Sequence, residues 1–175
     1  MHTGPDQILY RAKSISPDLD KVIKVTRSYS IHLHDFCASH GHAPTIHGFQ
    51  RSPGNVMVIV MDYLRGDHLG KEGTEESRNK MASQLRQLVK GFHLAGYVHG
   101  DLQLPNIYCV KDKIMLQDFD WGGKVGEASY PSQILTSILK EGHDMRNLKI
   151  TKDDNERVLK TMLVSIGCSH STLPN

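Results

Sequence analysis

The sequence predicts an α+β chain, sheet-rich from residue 1 to 62 and mainly helical from 63 to 175. Three observations lead there. Two short β-prone runs, residues 8–12 and 21–26, precede one helical stretch and the continuous apolar run VMVIVM at residues 56–61. A long amphipathic pattern follows, with Met81, Leu85, Leu88 and Phe92 on one helical face. Beyond it, runs at 107–110 and 114–117 flank Lys111, Asp112 and Lys113, the signature of a tight hairpin.

In chain order, the polar stretch 14–20, which contains Pro17, separates the first two strands. Residues 28–40 fit a helix that stops at Gly41, and residues 43–49 show no period and are expected to be irregular. The run 56–61 lacks alternation, as expected of a strand covered on both faces. Thr74 precedes Glu75 and Glu76, so it can cap the long helix with acids placed at the positive end of its dipole, and Gly96 can end that helix. Thr151 with Asp154 forms a possible capping box for a last helix carrying Leu159, Met162, Leu163 and Ile166 on one side.

Composition narrows the function. At 175 residues, 38% hydrophobic and 23% charged, the chain can bury a core and lacks the composition of a disordered segment. Its 21 basic and 19 acidic residues leave a formal charge of +2 and no basic stripe, so nucleic acid is not an expected partner. The longest apolar run is residues 56–61, too short to cross a membrane, and the start Met1-His2-Thr3 has no signal-peptide pattern. A cytoplasmic or nuclear protein, neither secreted nor membrane-bound, is expected. Cys37, Cys109 and Cys168 are odd in number and contain no C-x-x-C, which suits reduced thiols.

The segments VHGDLQLPNI (98–107) and QDFDW (117–121) concentrate the groups that chemistry needs. They resemble the H-R-D-L-x-x-x-N catalytic loop and the D-F-G metal motif of the protein-kinase-like superfamily, in order and in spacing. Asp101 precedes Asn106 by five positions and Asp118 by seventeen. The resemblance implies a two-lobed protein-kinase-like fold, with a small sheet lobe and a short helical lobe.

It further implies ATP and Mg²⁺ as cofactors. In such a site Asp118 and Asn106 hold Mg²⁺ and Asp101 orients the acceptor hydroxyl. Lys24, in VIKV, resembles the strand lysine that contacts the phosphates. Asp62 and Leu64 fall where the backbone meets the adenine, and Asp67 where a side chain meets the ribose. His34 followed by GHAP at 41–44 resembles a divergent fungal group of kinase-like proteins, and residues 121–131 and 141–148 resemble later parts of the same group.

The departures from the family are specific. No G-x-G-x-x-G precedes Lys24, so the N-terminal lobe reads as truncated and without a nucleotide lid. The helix after Lys24 has no Glu, and Asp35 is the nearest candidate partner. Gly100 replaces the Arg of regulated kinases, Gln103 replaces the lysine typical of Ser/Thr kinases, and Asp120 replaces the Gly of D-F-G. Asp144 stands where an aspartate can brace the catalytic loop or simply be exposed. The histidines around Cys37 lack converging ligand spacing, since His32 and His34 would point to different sides of a helix.

The leading expectation is an ATP- and Mg²⁺-dependent phosphotransferase acting on Ser/Thr hydroxyls of a protein acceptor. Gly100 and Asp120 are closer to aminoglycoside and choline kinases, which implies a small-molecule alcohol as the alternative acceptor. The missing Gly-rich loop and Gln103 support a third reading, a pseudokinase that binds nucleotide or protein only. The sequence does not determine the oligomeric state.

Overall fold

The computed structural model describes residues 7–13, 15, 20–70, 74–131 and 147–168. Its N-terminal part is a four-stranded antiparallel sheet of β1 (Gln7–Ala12), β2 (Lys21–Thr26), β3 (Ile46–Ser52) and β4 (Val56–Asp62), in the order β1-β2-β4-β3. Helix α1 (Ile31–Ser39) follows β2, and the Ser30 side chain caps it by accepting from the Leu33 N–H. It is shorter than the expected 28–40 because residues 27–30 form the connection and the cap.

Two strand expectations need correction. The stretch 43–49 is irregular only as far as Thr45, since Ile46–Ser52 is strand β3. This edge strand is exposed along most of its length, so backbone pairing to β4 holds it and no hydrophobic period announces it. Strand β4 is not covered on both faces either: Met57, Ile59 and Met61 are buried, while Val56, Val58 and Val60 are half-buried.

The second part is built on α2 (Glu75–Leu94), capped by Thr74, which accepts from the Ser77 N–H. Met81, Leu85, Leu88 and Phe92 are all buried, and Gly96 takes a φ of +84° just past the end. The hairpin consists of β7 (Ile107–Val110) and β8 (Lys113–Leu116), joined by Lys111 and Asp112 with φ of +47° and +64°. Two positive φ values at a two-residue connection match the right-handed twist of the strands. Helix α3 (Lys152–Ser165) opens with the full Thr151–Asp154 capping box and buries Leu159, Met162 and Leu163.

Two short ladders that carry no sequence period tie the loops down. Strand β5 (Asp67–His68) pairs with β7, and β6 (Tyr97–Val98) pairs with β9 (Gly123–Lys124). One hydrophobic cluster runs from Leu33 of α1 and Ile59 of β4 through Leu85 and Phe92 of α2 to Phe119 and Leu163. A smaller cluster holds Val98, Ala128, Tyr130 and Ile150 beside Trp121. The three cysteines are free. Among the described residues no helix is long and apolar enough to cross a membrane. Asp144 and most of 141–148 lie outside the described residues.

Candidate active site

Lys24 sits in mid-β2, where strand alternation places it and Thr26 on the same, covered face. A buried ammonium needs opposite charge nearby. Lys24 Nζ lies 2.8 Å from Asp118 Oδ1 and 2.6 Å from Asp120 Oδ1, with the Tyr29 ring centre 5.2 Å away. Asp35, the expected partner, is exposed on α1, and that expectation is corrected. Because α1 packs through Leu33, His34 and Cys37, its acid is turned outward.

The two acids flank Phe119, which is fully buried and stacks on the His34 ring at 4.5 Å and 17°. The Pro44 carbonyl can only accept, so His34 Nε2–H donates to it at 2.7 Å and Nδ1 accepts from the Tyr29 hydroxyl at 2.6 Å. Burial lowers the pKa of His34 to about 4, so the ring is neutral. Asp118 itself adopts a φ of +60°, a conformation that costs an L-residue energy and is tolerated best by Asn and Asp. That turn swings its carboxylate from the end of the hairpin toward Lys24.

Burial acts to raise the Asp118 carboxyl, but the Lys24 charge and hydrogen bonds from Lys24 and Gln7 outweigh it and hold the group below the ordinary value. Asp120 goes the other way. Burial, opposed by Lys24 and reinforced by the Asp118 charge, lifts it to about 7.

The loop that carries Asp101 is braced from below. His99 is fully buried, its backbone N–H donates to Asn155 Oδ1 of α3 at 2.8 Å, and its Nδ1 accepts from the Asp101 N–H at 3.3 Å. Burial lowers its pKa to about 4, so the ring is neutral at neutral pH and packs beneath the loop. Gln103 Nε2 donates to Asp101 Oδ1 at 2.6 Å, and Asn106 Nδ2 donates to Asp101 Oδ2 at 2.7 Å and to its carbonyl at 3.0 Å. Burial, together with the Asp118 charge, raises Asp101 to about 6 despite these bonds. The Asn106 carbonyl accepts from the Gln117 N–H at 2.9 Å, which fixes the loop to the residue before Asp118.

These groups meet at a cleft of about 660 Å³ lined by Lys24, Asn106 and Asp118, with Val22, Met61, Tyr63 and Leu64 among its walls. Asp101 does not line the cleft but is bonded to Asn106, which does. Two expected residues fall elsewhere. Asp62, expected to offer its backbone, does not line the cleft: its N–H donates to the Thr45 carbonyl, and its side chain is taken up by Lys21 and His47, each at 2.6 Å. Asp67 is exposed and lines a separate hollow with Ser77 and Arg78 but not the cleft, while His68, its neighbour on a two-residue strand, borders both.

In overall structure the chain is similar to the kinase PK-1 of Cydia pomonella granulovirus, with a TM-score of 0.69 over 94% of this chain and 67% of that one, at 16% identity. The fold is protein-kinase-like. No protein-family model and no curated protein matches the sequence. The likeness concerns the fold, and what the site does rests on its own geometry.

Sequence reasoning missed Asp120 and Asn155. Asp120 stood out only as a departure from D-F-G, and with Asp118 at a φ of +60° outside any strand no local period could have placed the two acids together. Asn155, a buried polar residue in the first turn of α3, gives no signal at all until the helix is packed against the loop.

Proposed function

We propose that the chain is an ATP- and Mg²⁺-dependent phosphotransferase of the protein-kinase type, with a Ser or Thr hydroxyl as acceptor. The observation that carries this reading is the convergence of Lys24, Asn106 and Asp118, from three separate elements, on one cleft. The donor set suits the metal. Asn106 commits its Nδ2 to Asp101, which leaves its amide oxygen uncommitted to that bond, and it lines the same cleft as Asp118; hard oxygens are what Mg²⁺ takes. When bound, Mg²⁺ neutralises the triphosphate and favours departure of the γ-phosphoryl group.

The chain's own residues supply the rest. Lys24 contributes the fixed positive charge for the phosphates. Main-chain groups around Leu64 and the apolar walls Val22 and Met61 bind the base. Asp101, oriented by Gln103 and Asn106, accepts the hydrogen bond of the acceptor hydroxyl and takes its proton. Its raised pKa of about 6 suits a base that is ionised at neutral pH yet is not too weak to take a proton.

A thermal-shift titration with ATP, with and without Mg²⁺, tests nucleotide binding, because a ligand of the folded state stabilises it by RT ln(1 + [L]/Kd). Phosphate transfer to a peptide and to a small alcohol then tests the acceptor. A Mg²⁺-dependent shift with transfer to peptide supports the proposal. Transfer to the alcohol alone moves the acceptor to the small-molecule class. A shift without transfer makes the chain a nucleotide-binding pseudokinase, and no shift at millimolar Mg-ATP overturns the reading.

A further inference from the structure

Resting on that reading of Lys24, we propose that Asp120 is the positioning residue that aims Lys24 into the cleft, a task that no side chain of α1 performs. The Lys24 side chain is 4% exposed, and its two carboxyl neighbours are not equivalent. Asp118 lines the cleft, and its side chain is 25% exposed. Asp120 lies behind it at 14% and is not part of the cleft lining.

Asp120 is also bolted to the strand that carries the lysine. Its Oδ2 lies 3.1 Å from Thr26 Oγ1, whose single proton is shared with the Ser28 carbonyl at 3.0 Å, and its carbonyl accepts from Ser28 Oγ, two residues past the strand, at 2.6 Å. Thr26 is two residues from Lys24 on the same face of β2, so Lys24, Thr26 and Asp120 meet on one side of that strand. Among the described residues the Asp118 side chain has no such tie to β2 beyond Lys24 itself, and its further hydrogen bond comes from Gln7 of β1 at 3.4 Å.

A division of labour follows. A carboxylate that turns to a cation gives up part of its hold on an ammonium, and a buried ammonium left with no anion would be expelled or neutralised. With Asp120 in place, Asp118 is available to the cation while Lys24 stays aimed. Lysine placement is thereby coupled to the segment 118–120 and made independent of how α1 sits.

The test is a pair of double-mutant cycles on the full chain, crossing Lys24→Met with Asp120→Ala, with Asp120→Asn as a second variant should the alanine protein fail to fold. In urea unfolding without ligand, Lys24 and Asp120 should couple by about tenfold in the unfolding constant. Lys24 and the control Asp35→Ala should couple by less than about twofold. In calorimetry, Asp120→Ala should weaken Mg-ATP binding by roughly tenfold when Lys24 is present and by less than about twofold in Lys24→Met.

Simple removal of a negative charge near the triphosphate would instead tighten binding, so the sign itself discriminates. Additive unfolding effects overturn the proposal. So does unchanged or tighter Mg-ATP binding in Asp120→Ala when Lys24→Met binds weakly, because Asp120 would then be structural only. If wild type and Lys24→Met bind Mg-ATP alike, the phosphotransferase reading fails, and the unfolding cycle alone still decides whether Asp120 anchors Lys24.

Discussion

Substituting Gly100 by alanine should destabilise the protein by about 2–5 kcal/mol, and the structure separates two causes. Gly100 has a φ of +81°, a conformation that costs an L-residue roughly 1–2 kcal/mol. A Cβ there would lie 2.6 Å from Ile150 Cδ1, 3.1 Å from Trp121 Cβ and 3.4 Å from the Trp121 carbonyl oxygen. Ile150 is 1% exposed within the Val98–Tyr130 cluster, so its side chain has little room to withdraw, and overpacking of this kind costs about 1–3 kcal/mol.

Ile150→Val removes the atom that clashes. On its own it should cost about 0.5–1.5 kcal/mol. In that background Gly100→Ala should keep its backbone cost and lose most of its steric cost, so the two changes together should destabilise by about 1–2 kcal/mol less than the sum of the singles. Urea unfolding of the four proteins measures this directly. Additivity within about 0.5 kcal/mol would refute the packing argument, and a Gly100→Ala cost below that size would refute both parts. The same geometry explains why the arginine of regulated kinases has no place ahead of Asp101.

Further outcomes are expected. Asp118→Asn should abolish the Mg²⁺-dependent part of ATP binding, whereas Asp101→Asn should leave binding nearly intact and cut transfer by about 10²–10⁴, as calorimetry and a phosphotransfer assay would show. Phe92, fully buried on α2, should cost about 3–5 kcal/mol on truncation to alanine, read as a lower urea midpoint. His34 and His99, both lowered to about 4, should remain neutral at pH 5.5 in an NMR titration, where an ordinary imidazole is mostly protonated. Their folded values lie below the unfolded 6.5, so the stability they confer is present above pH 6.5 and is lost as the pH falls through 4. It is on the order of 3 kcal/mol for each ring, and a ring that titrates near 6.5 would contradict its placement.

Much of this protein was legible in the sequence wherever one segment suffices to encode a feature. The period of Met81, Leu85, Leu88 and Phe92 determined α2 and its buried face, since a helix repeats every 3.6 residues whatever it packs on. The turn at Lys111 and Asp112 and the Thr151–Asp154 box are likewise local chemistry. The resemblance to the kinase-like motifs singled out Lys24, Asp101, Asn106 and Asp118, of which Lys24, Asn106 and Asp118 line one cleft.

Tertiary structure decided whatever depends on which segments meet. Strand β3 has no pattern of its own because its backbone pairs with β4 while its side chains face solvent. Asp67 and His68 share a two-residue strand, too short to show an alternation, and only pairing with β7 set which of them borders the cleft. The partner of Lys24 was sought on the next helix, yet the ammonium is held by acids 94 and 96 residues away. Charge pairing acts through space over a few ångströms, and sequence distance carries no information about it until β2 and the end of β8 are folded together.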